Sequence, residues 1–327
     1  MSNPNINKLK SIILIAFSVL ILTILYNKID FIQFKNVLKE SNKLLLILGF
    51  IMSYLLGVIS GIRYTYFSRL FKINPTPTVL TAIKSYFIAG SFNILLPSKL
   101  GDFGKSYICS RIDNINYTKE LYLYTIYEKI SDLFALILIT FLSYNIFQLF
   151  SSCSINKTPL NCIDLLGSQF LFYLLIILSL FTFLIINPFL ILNKLKSFFP
   201  NNINMMIKVI TDYKKSSLII YHCFTIFFWL INLLQIQIFA LSLKMNLFST
   251  AGILTISLTI LCGLVPVTFA GIGSREIILT SLLAPVFGTV KPLLLGTLFT
   301  SRYIIPALIG LIYIKEISVK SKIVNKI

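Results

Sequence analysis

The sequence predicts an all-α integral membrane protein, one polytopic domain over residues 1–327, with about six full transmembrane helices and two broken or re-entrant helical hairpins in two inverted repeats. Three observations carry this. Apolar residues make up 57% of the chain and charged residues 12%, against about 25% charge in soluble domains, and mean hydropathy is +0.88. Six stretches approach or exceed the ~20 apolar residues needed to cross a core of about 30 Å: roughly 9–27, 44–62, 121–148, 168–190, 216–243 and 291–314. Two more, 76–111 and 249–289, are broken near the middle by Pro and Gly, which is tolerated at membrane depth only where the backbone is buried in protein or lines a polar cavity.

Taken in order, Lys8 and Lys10 precede an apolar run from Ser11 to Tyr26 that no small-residue cleavage site follows, so it reads as a retained first span. Residues 27–43 mix charges with Phe and Leu at helical spacing (FIQFKNVLKE), the pattern of a helix lying in the interface. If both broken segments are hairpins, each half (about 1–150 and 168–327) runs span, span, hairpin, span. Three crossings per half turn the second half upside down. The alternative is that both are ordinary kinked or full spans, since Pro and Gly are common in membrane helices.

Positive charge sets the sidedness. The N-terminus, the 63–75 loop (Arg63, Arg69, Lys72), the 188–217 loop and the C-terminal tail place fourteen Lys and Arg on one face, against six on the other, so both termini are expected in the cytoplasm. The net charge of +18 would raise nucleic acid as a partner, but the basic residues sit in short clusters between apolar runs, and anionic lipid is the fitting counter-surface. Five cysteines without metal-ligand spacing and a single His222 supply no metal site and no His-dependent nucleophile, so no metal, cofactor or catalytic residue is expected. Cys153 and Cys162 flank an external loop and could pair in an oxidising compartment.

The chemistry concentrates at the breaks. The first reads Pro97-Ser98-Lys99-Leu100-Gly101-Asp102-Phe103-Gly104-Lys105 and the second runs from Pro266 through Gly271-Ile272-Gly273-Ser274-Arg275-Glu276. In each, Pro ends a half-helix, Gly allows the turn, and a cation follows four residues after the Gly. The new helix N-terminus points free amides at the cavity, suited to phosphate, with Lys105 and Arg275 adding charge; the plainer reading is that these cations cap or snorkel. Glu128 and Asp132 share one helix face inside a span, and Arg302 falls mid-span, where a charge costs at least about 2.5–3.5 kcal/mol. All three are expected to face the interior, with Glu128 or Asp132 pairing to Arg302 across the halves, or with Arg302 free to bind an anion. Asn93, Asn232, Gln235 and Gln237 read as interhelical hydrogen-bonding groups and His222 as a packed histidine.

On these residues the chain resembles the transmembrane, flippase-type domain of the lysylphosphatidylglycerol synthase family. The family's Pro with Gly-acid-x-x-Arg is matched by Pro97 and Gly101-Asp102-Phe103-Gly104-Lys105, with Lys for Arg, and its Glu-Arg-x-x-Asp by Glu128-Lys129-Ile130-Ser131-Asp132, again with Lys for Arg. Its Gly-x-Gly-x-Arg-Glu is matched in full at 271–276, and its late Arg by Arg302 with Pro306 and Gly310. The resemblance implies a bacterial or archaeal cytoplasmic-membrane protein, a stand-alone member without the aminoacyl-transfer domain. Its expected work is to flip an anionic phospholipid, an aminoacylated phospholipid or a polyprenyl-phosphate-linked sugar between leaflets. Head-group binding is expected of Arg275, Arg302, Lys105, Gly101, Gly271 and Gly273, with Glu128, Asp132, Asp102 and Glu276 as charge partners. The rivals are a membrane transferase using Glu128 or Asp132 as base, and a non-catalytic accessory protein of envelope lipid or glycan synthesis. A second copy of the chain or an envelope-synthesis protein stays open as partner.

Overall fold

A computed structural model of the chain describes residues 23, 31–95, 97–113, 119–155, 215–264, 268 and 271–324. The expected spans 9–27, apart from Thr23, and 168–190, with Pro266 and the Cys153–Cys162 pairing, lie outside the described residues and side chains. Helices account for nearly all of the rest, and there is no strand among the described residues.

Helix α1 (Phe31–Glu40) is the amphipathic segment; Phe34, Val37 and Leu38 pack against the main core while Ile32 stays exposed. Asn42 then starts α2 (Lys43–Leu70), its side chain accepting from the amides of Leu44 and Leu45 at 3.0 and 3.3 Å. α2 continues eight residues beyond the expected span because no Pro or Gly stops it between Gly61 and Asn74-Pro75. Arg63 is therefore a buried helix residue, not the loop charge that the sidedness count took it to be.

The first broken segment is α3 (Val79–Leu95), a 3-10 stretch (Pro97–Gly104) and α4 (Lys105–Asp113). Its two ends meet. Asp113, the last residue of α4, accepts from the Thr78 amide at 3.2 Å and the Thr81 hydroxyl at 2.5 Å, just before and within the start of α3. A long α5 (Lys119–Ile155) follows, and after the undescribed stretch comes α6 (Lys215–Ser242). The second broken segment is α7 (Thr250–Leu264) and α8 (Ser274–Phe287). Lys291, just past α8, shares a small surface pocket with Leu243 and Lys244, so here too the chain returns to where it left the preceding helix. The last span is split into α9 (Val290–Ser301) and α10 (Ile304–Val324). Pro306 has no N–H to offer the carbonyl of Arg302, which places that arginine at the interruption.

Among the described residues, four stretches are long and apolar enough to cross a membrane, Lys43–Leu70, Leu121–Gln148, Ser217–Ser242 and Val290–Ile314, with Val79–Ile94 and Thr250–Leu264 as shorter apolar helices. The chain is a multi-pass membrane protein. Large apolar side chains such as Ile51, Leu55, Leu308 and Ile312 lie exposed on the outer surface, as contact with hydrocarbon requires.

Small residues bring the helices close. α2 packs on α6 and α3 through Gly49, Gly57 and Gly61; a Cβ on Gly61 would lie 2.7 Å from the Ile83 backbone nitrogen. α3 packs on α10, where Gly310 faces the Phe87 carbonyl and the Ser91 hydroxyl donates to the Ala307 carbonyl at 2.6 Å. α7 packs correspondingly on α5. The main core joins Leu56, Leu136, Phe228, Ile236, Phe239, Leu279, Leu294 and Phe299, and a second, aromatic cluster holds Tyr64, Phe67, Phe71, Tyr124 and Tyr221.

Candidate functional site

Where α2, α5 and α6 meet the two breaks there is a cavity of about 240 Å³. Its wall includes Arg63, Asp102, Lys129, Asp132, Trp229, Asn232, Gln235, Arg302 and Tyr303. Charges from four separate elements thus converge on one space, and every one of them has to be placed by the helix that carries it.

The acids lie on α5, one turn apart, and the cation between them comes from α2. Arg63, 1% exposed, grips Asp132 with both guanidinium ends, Nη1 to Oδ1 at 2.7 Å and Nη2 to Oδ2 at 3.0 Å. Nη2 also donates to Glu128 Oε1 at 2.7 Å. This forked geometry is the arrangement in which a buried ion pair offsets its desolvation best. From α4, Lys105 Nζ reaches Glu128 at 3.2 Å and sits 4.0 Å from the centre of the Tyr64 ring, behind the cavity and not in its wall. Lys129 Nζ lies 2.9 Å from Asp102 Oδ2 and 3.8 Å from Asp132 Oδ2. Asp102 is fixed by Asn93, whose side-chain amide donates to Oδ1 at 2.6 Å and whose Oδ1 accepts the Asp102 amide at 3.2 Å. Gly101 permits this contact, since a Cβ there would stand 2.6 Å from the Ala89 carbonyl.

The expected pairing of Arg302 with Glu128 or Asp132 is not what the fold builds. The acids are already taken by Arg63, Lys105 and Lys129, because α2 and the first break lie against α5. Arg302 instead donates from Nη1 to Gln235 Oε1 at 3.1 Å and from Nη2 to the Tyr303 hydroxyl at 2.7 Å, and its Nε has no hydrogen-bond partner among the described residues. Gln235 is held by donating to Ser53 Oγ at 2.6 Å and the Gly49 carbonyl at 2.8 Å. It is an interhelical bridge as expected, and it also orients the arginine.

At the second break, Gly271 (φ 73°) and Gly273 (φ 93°) adopt the left-handed backbone that admits the turn. Arg275 is buried outside the cavity wall, its guanidinium against Gly263 and Gly271 and 5.1 and 5.0 Å from the Phe299 and Tyr303 ring centres. The same two rings lie 4.5 and 4.8 Å from the Arg302 guanidinium. Nε and Nη1 of Arg275 lack partners among the described residues. Glu276 does not serve either arginine as a hydrogen-bonded partner: Oε2 accepts the Gly273 amide at 2.7 Å and Oε1 the Thr300 hydroxyl at 3.0 Å, capping its own helix and tying it to α9. His222 is a packed histidine, 3.1 Å from the Tyr127 hydroxyl. Among the described residues no group of three or more His, Cys, Asp or Glu is placed to hold a metal ion.

Sequence reasoning passed over Arg63, and the signal that could have found it is the lack of any helix stop before Asn74-Pro75. Lys129 and Trp229 were likewise passed over as wall residues. The comparison with known families decides the kinship: residues 11–310 match the model of the lysylphosphatidylglycerol synthase TM region. The chain belongs to this family. Its spanning helices and the kinship together describe a membrane protein of lipid-related processes. No curated protein and no solved structure matches the chain. Within the family framework, the motif residues Asp102, Lys129, Asp132 and Arg302 reach one cavity, Lys105, Glu128 and Arg275 stand behind it, and Glu276 lines a separate pocket with Thr297 and Thr300.

Proposed function

We propose that this member of the lysylphosphatidylglycerol synthase TM family binds the phosphate of a lipid head group at Arg302 and carries the lipid between leaflets. One observation supports the reading above the others. Arg302 is a buried guanidinium in the cavity wall whose polar partners among the described residues, Gln235 and Tyr303, are both neutral, whereas Arg63 and Lys129 each meet a carboxylate. A charge held in a low-dielectric wall without a counter-ion is stabilised by an incoming anion. The cavity is smaller than the roughly 300–1,000 Å³ of small-molecule pockets, which suits a head group whose tails remain in lipid. Arg275, sharing the Phe299 and Tyr303 rings, adds to the positive field, and Lys105 keeps the Glu128 side of the cluster neutral.

The two halves are read as inverted repeats: α3 on α10 and α7 on α5 are the exchanged contacts such symmetry requires, and the meeting ends of each broken segment suit re-entrant hairpins, the first entering from the cytoplasm with both termini on that side. The setting is a bacterial or archaeal cytoplasmic membrane. No P-loop motif is present in the sequence, so uphill movement would draw on an ion gradient or a partner protein. A transferase with Glu128 or Asp132 as base gains no support from carboxylates that three cations already hold.

The test is leaflet exchange. Purified protein in liposomes with fluorescent phosphatidylglycerol and a lipid-linked sugar, read by external quenching, is expected to exchange probe quickly, and Arg302→Ala to abolish this while eluting as the same folded species. Equal exchange by both proteins, or none by either under an imposed gradient, overturns the reading.

A further inference from the structure

With Arg275 and Glu276, outside the wall, counted as one charge of each sign, the described buried charges around the cavity leave one cation in surplus. Glu128, Asp132 and Asp102 face Arg63, Lys105 and Lys129, three acids against three cations, linked at 2.7 to 3.3 Å. Both oxygens of Asp132 accept from Arg63, and Oδ1 also takes the Trp229 indole N–H at 3.3 Å. Both oxygens of Asp102 are occupied, by Asn93 and Lys129. Among the described residues of the wall, Arg302 is the charge without an acid. The expected spans 9–27 and 168–190 carry no Asp or Glu in their sequence.

We propose that the head group taken here is a phosphodiester with one negative charge and an uncharged polyol or sugar beyond it, in preference to an aminoacylated lipid or a diphosphate. This rests on the reading of Arg302 as the phosphate site. A single phosphodiester charge neutralises the single surplus cation. An aminoacyl ammonium would enter a space with net positive charge in which every carboxylate is engaged, and like charges brought together in such a site are strongly penalised. A diphosphate brings at least two charges against one free cation and leaves the excess buried. The remaining wall is built for hydroxyls: Asn232, whose amide nitrogen donates to the Phe228 carbonyl at 3.0 Å, keeps its oxygen for a donor, and the Tyr86 and Ser60 side chains stand with it. Two lipids share the chemistry, a glycerophospholipid such as phosphatidylglycerol and a polyprenyl-phosphate sugar.

Trp229 is the one tryptophan of the chain and lies in the cavity wall, so its fluorescence reports occupancy. Full-length protein in detergent is titrated with phosphatidylglycerol, a polyprenyl-phosphate hexose, lysyl-phosphatidylglycerol and a polyprenyl diphosphate, with phosphatidylcholine as blank. One or both monoanionic lipids are expected to bind about tenfold or more tighter than the other two, and which of them does so identifies the source. Arg302→Gln should erase the difference. Asn232→Asp, which adds a carboxylate to the wall, should move the preference toward lysyl-phosphatidylglycerol by a similar factor. Arg302-dependent binding of lysyl-phosphatidylglycerol or the diphosphate as tight as the monoanions overturns this inference and leaves the phosphate site standing. Loss of all Arg302-dependent binding overturns both.

Discussion

Replacing Arg63 by Leu should unbalance the buried cluster more than any other single change. It removes three charge-assisted hydrogen bonds, two at 2.7 Å and one at 3.0 Å, and leaves Glu128 with Lys105 alone. Asp132 keeps only the Trp229 N–H at 3.3 Å and the distant Lys129 Nζ at 3.8 Å. Removing one member of a buried ion pair typically costs about 3–5 kcal/mol, since the partner stays charged and poorly solvated. Arg63 holds two carboxylates and each retains some compensation, so we expect a loss of about 3–4 kcal/mol within that range. Adding Asp132→Asn cancels the stranded charge, and the double variant should regain about half of the loss, a coupling within the 0.5–3 kcal/mol seen for contacting residues. Stability would be followed by SDS-titrated unfolding in mixed micelles, using Trp229 emission and circular dichroism together. A single variant within about 1 kcal/mol of wild type, the usual scale of an exposed pair, would refute the buried-cluster account. So would a double variant whose loss is the plain sum of the two singles.

Other outcomes follow from the packing. Gly310→Ala drives a Cβ into the Phe87 carbonyl oxygen, so α3 and α10 must separate; we expect about 1–3 kcal/mol of destabilisation in the same titration, and none if the helices are not in contact. Glu276→Ala frees the Gly273 amide and the Thr300 hydroxyl and should lower stability by about 1–2 kcal/mol, while Glu276→Gln, whose one oxygen can still accept the Gly273 amide as its NH2 donates to the Thr300 hydroxyl oxygen, should lose less than half of that. Arg302→Lys keeps the charge but cannot span Gln235 and Tyr303 together, so leaflet exchange should fall well below wild type with little change in unfolding; unchanged exchange would show that charge alone suffices.

The helices were legible where they depend on composition. Apolar length marks α2, α5, α6 and α9–α10, and Pro and Gly mark the interruptions at 97–104 and 271–273, because each signal acts within a turn or two of its own residue. The register of the charges was not legible in the same way. Reading a span as ended at its first charge put Arg63 in a loop, yet α2 runs on to Leu70. Partner choice is harder still, since Arg63 lies 65 and 69 residues from the acids it binds, and which cation reaches them is decided by α2 packing where α10 does not. Glu276 shows a pattern that was present but read for its charge. A Glu three residues after Gly273 at a helix start is a capping signal, and its carboxylate is spent on the helix.

The buried cluster also bears on how the chain is made. Arg63 leaves the ribosome well before Glu128 and Asp132 exist, so α2 enters the bilayer with its guanidinium uncompensated. Insertion scales put that burden at about 2.5–3.5 kcal/mol, which the strongly apolar 28-residue helix can carry. When α5 arrives its two acids cannot rest against lipid, and the waiting Arg63 and Lys105 are the groups that draw them inward. The order of synthesis therefore favours one docking of α5 against α2, with the buried Arg63 serving as a template for the helix that follows.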